Sequence, residues 1–495
     1  MRLKTDIKWK QWLIFALIGL ISVLPLLALI GLKTLNVDWE EWEGNWQMVQ
    51  YGDIKADYGA FHLYAFTMTM GMAASIGYSA YKFWRRGIPI YELAWGVMVV
   101  IPTALFGASI FGKLNADGAG ENAGGVGFWG LFAFWKAGMA IHGGVYVGTF
   151  FGIITFFFLG RKPKDSAWAY ADAILPNVLL GQVIGRWGNF FNHEVMGAPV
   201  KVVAQGVSVN NIDWSVVESS GIHLPDWILR NTMAVANSET TINGVTYNQG
   251  DLVQMSPIFF YESMGLLLGW VLITFVLPNI GKWFGKKPWK VEPNKYSLDW
   301  GFTFKQFFMP WIKSSTKMSW RDAWDKAYVR HEDLEAKEQH IKKAALIAKS
   351  NDSYLVKRWK TGKSMNLANN PKGYTTTKAG VEAFAFFFVW NFVRFILELE
   401  RPNDHLFIMF NKPLSLILIG GTAMIGVIGM LLSQFVIPNL VREPGYMYEK
   451  DYFALVKVSK TDKPSNIKNN KADVKLQKRL AKEEKARQKL ERLEN

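Results

Sequence analysis

The chain has 495 residues, 50% hydrophobic and 15% aromatic, with a net charge of +15 and no cysteine. Without thiols it can have no disulfide, no thiolate metal site and no cysteine nucleophile of its own. Its apolar residues gather in blocks of about 20, the length of a bilayer-spanning helix, so it reads as an integral membrane protein rather than a soluble multidomain one. Eight such blocks follow in order. The first, 12–32, comes after Arg2, Lys4, Lys8 and Lys10. It is long and lacks a small-x-small cleavage site, so an uncleaved anchor is expected rather than a signal peptide. The others are 61–82, 90–112, 141–160, 171–191, 256–279, 381–400 and 413–437. Lys82, Arg85 and Arg86 follow the second block, Arg161, Lys162 and Lys164 the fourth, and Lys282, Lys286 and Lys287 the sixth. The opposite flanks are acidic, as in Asp38-Trp39-Glu40-Glu41, or nearly neutral. The positive-inside rule then predicts one topology with both termini cytoplasmic.

The expected class is an all-α polytopic membrane protein. Its parts are an N-terminal anchor (1–35), a first transmembrane part (36–191) and an extracytoplasmic segment (192–255). A helix (256–281), a cytoplasmic insertion (282–380), the last two spans (381–440) and a basic tail (441–495) follow. Within 192–255, Ile242-Asn243-Gly244-Val245 predicts a two-residue hairpin turn. Within the insertion, Ser319-Trp320-Arg321-Asp322 fits a capping box opening a charged helix to about Ser350. Insertion and tail read as solvated helix or disorder, or as segments drawn to anionic lipid. Neither holds a basic-aromatic module, so no nucleic-acid partner is expected. No internal repeat is evident.

Ionisable groups inside the blocks carry the functional information, because each costs about 2.5–3.5 kcal/mol or more at mid-membrane and persists only with a partner or a task. The densest run is Gly185-Arg186-Trp187-Gly188-Asn189-Phe190-Phe191-Asn192-His193-Glu194, ending at Gly197. Gly185 and Gly188 clear one face for another helix or a lipid headgroup. Arg186 and Asn189 share a face and together suit phosphate oxygens. The alternative is an interfacial arginine paired with Glu194. A second set, Arg394, Glu398 and Arg401, lies on one helical stripe. There Glu398 is expected to hold both arginines, either as pure structure or leaving positive charge for an anionic ligand. Third is His142-Gly143-Gly144. A lone histidine is commonly structural, but the glycine pair would let a ligand reach an imidazole able to take a proton near neutral pH. Tyr64, Asp172 and Tyr261-Glu262 are further candidates, with Asp172 alternatively a carboxylate at a helix N-terminus. The seven histidines are scattered without ligand spacing. No nucleotide-type glycine loop or nucleophile elbow is present. Neither metal nor cofactor is expected.

The run 185–194 with Gly197 resembles the signature Gly-Arg-x-Gly-Asn-Phe-x-Asn-x-Glu of the prolipoprotein diacylglyceryl transferases. Tyr64, His142-Gly143-Gly144, Asp172 with Pro176, Tyr261-Glu262 and Arg394-x-x-x-Glu398-x-x-Arg401 resemble the supporting motifs in order, over roughly 58–280 and 381–440. Four positions depart: Ala65, Ser109, Met255 and Trp390 stand where the family usually has Gly, Arg, His and Tyr. The first span, the insertion and the tail have no counterpart in short members. The resemblance implies a seven-helix core. It also implies transfer of diacylglyceryl from phosphatidylglycerol to the lipobox cysteine of prolipoproteins, at a site facing the outer leaflet of a bacterial plasma membrane. It further implies that His142 takes the thiol proton and that Arg186 and Arg394 stabilise the leaving phosphate. Asn189 and Glu194 would position the headgroup, Glu398 would orient Arg394, and Arg401 would screen a lipid entry. The same arginines would also suit a transporter or channel for anionic solutes, though inverted repeats and paired broken helices are not seen.

Overall fold

The computed structural model describes residues 46–440, apart from 53, 55, 60, 116–126, 136–137, 161–165, 194–195, 216, 218–223, 243, 330–338, 341, 345, 348, 402–405 and 410. The expected first span, Glu194, the flank Arg161–Lys164 and the basic tail lie outside the described residues. The chain divides into two units, one of residues 1–287 with 334–449 and the other of 288–333 with 450–495.

Helices dominate the first unit. They are α1 (Leu63–Arg86), α2 (Ile90–Asn115), α3 (Ile141–Gly160), α4 (Ala167–Phe191), α5 (Ile258–Val271) and α6 (Leu277–Phe284). The second unit holds α7 (Trp300–Phe308) and α8 (Trp320–Trp324). The first unit resumes with α9 (Tyr354–Asn369), α10 (Val381–Glu398) and α11 (Lys412–Leu431). Four stretches are long and apolar enough to cross a membrane: Ile90–Asn115, Ile141–Gly160, Ile258–Val291 and Lys412–Asn439. The long helices α1, α4 and α10 carry more small, hydroxyl or charged residues.

Small residues set how closely these helices approach. A Cβ on Gly71 of α1 would strike the carbonyl oxygen of Gly181 of α4, and one on Gly143 of α3 would strike Gly107 of α2. These pairs let backbones pack directly, as small-residue seams do in membranes. At the N-terminal end of α4 a buried charge lock joins three helices. Glu382 receives Lys82 and Arg86 at 3.2 Å each, and Arg86 also donates to Ala169 O at 2.6 Å. Asp172 accepts from the backbone N–H groups of Gly380 (3.0 Å) and Ala383 (2.8 Å). It is thus a carboxylate at a helix N-terminus, but that of α10 rather than of its own helix.

Two helices end on the same local device. Leu272–Val276 and Leu432–Val436 are π-turns, followed by Leu277-Pro278-Asn279 and Ile437-Pro438-Asn439. A proline cannot donate to the preceding turn and crowds it, and the widened turn absorbs the misfit. Asn279 and Asn439 then donate side-chain bonds to Phe275 O (2.8 Å) and Phe435 O (3.0 Å). The two helix ends share a short local motif, Phe-Val-Leu-Pro-Asn-Ile and Phe-Val-Ile-Pro-Asn-Leu.

β1 (Trp46–Met48), which precedes α1, joins β2 (Pro199–Ala204), β3 (Met233–Ala236) and β6 (Leu252–Met255), which lie between α4 and α5 in the chain, in a four-stranded antiparallel sheet of order β1-β3-β6-β2. Ala234, Val253 and Met255 pack with Phe190 of α4 and Phe259 of α5. The predicted hairpin forms as β4 (Thr240–Ile242) and β5 (Val245–Tyr247), with Ile242 opposite Val245 and Gly244 at φ +78°. The predicted cap at Ser319 also forms, its hydroxyl accepting from Asp322 N at 3.0 Å. The helix it opens runs from Trp320 to Trp324 and continues as a π-turn to Val329; 330–338 lie outside the described residues.

Candidate functional site

The site forms where α3 and α5 begin and α4 and α10 end. From α4, Arg186 reaches Glu262 of α5 at 2.6 Å, and its guanidinium lies 3.5 Å from Asn189 Oδ1. The other oxygen of Glu262 takes Arg401, just past α10, also at 2.6 Å. Arg394 pairs with Glu398 one turn along α10 at 2.9 Å. Glu398 also accepts from the backbone N–H of Phe407, which anchors the segment after α10. Three guanidinium groups therefore surround two carboxylates, with all five side chains at least mostly buried. The shared face of Arg186 and Asn189 is as expected. The ion pair of Glu398 among the described residues is with Arg394, whereas Arg401 is bound by Glu262, which approaches from another helix. Arg186 likewise finds its partner in Glu262.

His142 sits at the first turn of α3 and is buried. Its ring lies against Phe407 (4.5 Å between centroids) and Trp390 (5.1 Å). Trp390 thus occupies one departing position by walling the imidazole. His142 Nε2 is buried with no hydrogen-bond partner among the described residues. The adjacent glycine pair faces a neighbouring helix. Gly143 packs on Gly107 and Phe111, and a Cβ on Gly144 would stand 3.2 Å from Ala104 O, so both glycines serve the α2–α3 seam.

The glycines of α4 likewise serve a helix. A Cβ on Gly188 would lie 2.5 Å from Thr67 Oγ1 and 3.0 Å from the Tyr64 ring, and one on Gly185 would lie 2.9 Å from Met68 Sδ. Tyr64 is therefore held against the start of the Arg186 stripe. Gly197 donates to Ser256 O at 2.8 Å and packs on Ile258. Tyr261 is 39% exposed where Glu262 is only 2% exposed, so the pair splits between an outer and an inner face. Asp172 stands at the opposite end of α4 and is not part of this cluster. Ser109 accepts from Lys113 Nζ at 2.9 Å, and Lys113 also donates to Gly130 O and Ala133 O. The cation missing at 109 thus appears one turn later, engaged with a loop.

Two contributors escape sequence reasoning. Asn115, at the end of α2, donates to Phe407 O and accepts from Met409 N, both at 3.0 Å, which fixes the wall beside His142. Gln182 is buried one turn before Arg186 on the same stripe, and both amide atoms lack partners among the described residues. A polar residue in an apolar block, four positions from Arg186, is the signal that could have found it.

These features define a mostly helical protein with membrane-length apolar helices and a buried arginine–carboxylate cluster beside a histidine. Its residues 54–288 match the family profile described as prolipoprotein diacylglyceryl transferase. The chain is similar to proteins named phosphatidylglycerol–prolipoprotein diacylglyceryl transferase. That of Oceanobacillus iheyensis is 36% identical over 173 residues, 32% of this chain and 49% of that protein. That of Halalkalibacterium halodurans is 30% identical over 222 residues, covering 43% and 62%. The Mycoplasmoides gallisepticum protein is 31% identical over 239 residues, covering 43% and 56%. The match thus spans about half to three-fifths of the length of these relatives. Arg394, Glu398 and Arg401 lie beyond residue 288, yet the Arg401–Glu262 pair brings them to the matched segment.

Proposed function

We propose that the protein is a phosphatidylglycerol–prolipoprotein diacylglyceryl transferase of a bacterial plasma membrane. One observation carries this reading: among the described residues three buried arginines share two carboxylates, a cluster with one more positive than negative charge, beside a histidine. A phosphodiester monoanion would complete that balance. Buried charge without a counter-ion is costly, so the cluster is suited to a site that binds an anion. No observation favours solute transport.

In the proposed reaction the lipobox thiol loses its proton to His142 and its sulfur attacks the diacylglycerol carbon that bears the phosphate. The C–S bond forms as the C–O bond breaks, and glycerol phosphate leaves with the electron pair. Negative charge grows on that phosphate. Arg186 and Arg394 are already ordered by Glu262 and Glu398, and such preorganised donors lower the barrier by several kcal/mol. Asn189, Tyr64 and Glu194 position the headgroup, while Arg401 screens the lipid entry. The charged flanks support cytoplasmic termini and a site toward the outer leaflet.

The test mixes the purified protein with phosphatidylglycerol and a lipobox peptide holding one cysteine, following peptide mass. A gain of one diacylglyceryl group, lost in Arg186→Ala, is expected; folded protein giving no gain refutes the reading. His142→Gln should lower the rate about 100- to 10,000-fold, the usual worth of a general base, while lipid binding persists. Full activity in that variant removes His142 from the base role.

A further inference from the structure

The described part of the second unit, 288–329, holds a helix that leaves most of its aromatic residues facing outward. A helix packed in water buries its apolar stripe and exposes its polar one. Helix α7 buries one ring, Phe302, beside a polar residue, Gln306, 4% exposed, whose amide donates to Ile312 O and to the Asp322 carboxylate at 3.1 Å each and accepts from the Ser319 hydroxyl. Its outward residues are Trp300, Phe304, Phe307 and Phe308, each 62–70% exposed. At about 100° per residue these four fall within one stripe about 100° wide. Trp311, 66% exposed, extends the patch beyond the helix end. Lys305, Lys313 and Lys317 are exposed beside it, and the nearby acid, Asp299, is paired with Lys317 at 3.0 Å.

We propose that this aromatic face docks on the anionic surface of the same bilayer that the chain's own helices enter, anchoring the insertion there. Three observations select a lipid surface over a protein. The tryptophan and phenylalanine rings with a lysine fringe suit the headgroup boundary, where ring and cation are both satisfied. The lysines complement anionic headgroups. Finally, Trp300 follows Lys282, Lys286 and Lys287, the basic end of an apolar helix, by about a dozen residues, so the face is tethered to that surface. The segment lies past residue 288, where the family match ends, so the proposal is independent of the transferase reading.

Because the chain lacks cysteine, single-cysteine variants of the full protein can be spin-labelled in proteoliposomes containing phosphatidylglycerol. Labels at Phe304→Cys and Phe307→Cys should be several-fold more accessible to oxygen than to a water-soluble nickel complex, with the reverse at the exposed control Lys326→Cys. Replacing phosphatidylglycerol by phosphatidylcholine should lower the ratio at 304 and 307. A nickel-favoured ratio at both positions overturns the proposal. So does poor access to both reagents, which marks a protein surface or a second copy as the cover. A ratio indifferent to lipid charge overturns the anionic specificity.

Discussion

Replacing Glu262 by glutamine tests the central ion pairs. The carboxylate sits between Arg186 and Arg401, 2.6 Å from each, and is 2% exposed. Its neutral isostere leaves two guanidiniums facing each other; taking about 6 Å between their charge centres and an effective dielectric of about 20, they repel by about 3 kcal/mol. Two attractions are lost as well, so a net destabilisation of about 3–5 kcal/mol is expected, as for other buried pairs deprived of one partner. The assay is a double-mutant cycle in detergent, with Glu262→Gln, Arg401→Gln and the double variant followed by thermal unfolding. The double variant removes one of the two stranded guanidiniums, and with it their mutual repulsion, leaving Arg186 alone. It should therefore be more stable than the two single losses added together, with a coupling of about 1.5 kcal/mol or more, within the range of directly contacting groups. Additivity within about 0.5 kcal/mol, the behaviour of independent sites, would refute the claim that Glu262 organises both arginines.

Gly188→Ala should destabilise by about 1–3 kcal/mol through overpacking, since the new methyl meets Thr67 and Tyr64. Gly77→Ala on α1, with nothing within 4 Å, is the matched control and should be tolerated. Asp172→Ala strips two backbone donors of their cap and should cost about 2 kcal/mol or more of thermal stability. Transfer per folded molecule should stay unchanged, because Asp172 lies at the far end of α4; a selective loss of turnover would place it in the chemistry after all. In the second unit, the Phe302 N–H and Lys317 hold the Asp299 carboxyl below its ordinary 3.8. Its contribution is thus complete above 3.8 and fades as pH falls through the lowered value. Amide exchange at Phe302 should accelerate in that acidic window, and should be pH-insensitive beyond intrinsic chemistry in Asp299→Asn.

The sequence by itself determined the elements whose causes are local. Apolar blocks of bilayer length became helices at 90–115, 141–160, 258–291 and 412–439. The hairpin predicted from Asn243-Gly244 formed between Thr240–Ile242 and Val245–Tyr247, with Gly244 at the positive φ such a two-residue turn needs. Ser319 capped its helix. The three-residue spacing of Arg186 and Asn189, and the four-residue spacing of Arg394 and Glu398, read correctly as shared helical faces. Local spacing misled where a closer partner came from elsewhere in the chain. Arg401 lies one turn from Glu398, yet it binds Glu262, 139 positions away. Asp172 caps a helix whose first residues are more than 200 positions downstream. The glycines beside Arg186, read as clearing a face for a helix or a headgroup, pack on α1, and those beside His142, read as an opening for a ligand, pack on α2. Of the aromatic run of α7 only Phe302 faces inward, beside Gln306 with its bonds to Ser319 and Asp322, and the sequence alone did not show which face would be buried. Periodicity fixes which residues share a face because backbone geometry repeats along one chain. Which face meets which, and which charge finds which counter-charge, depends on how separate helices pack, and that is decided only in three dimensions.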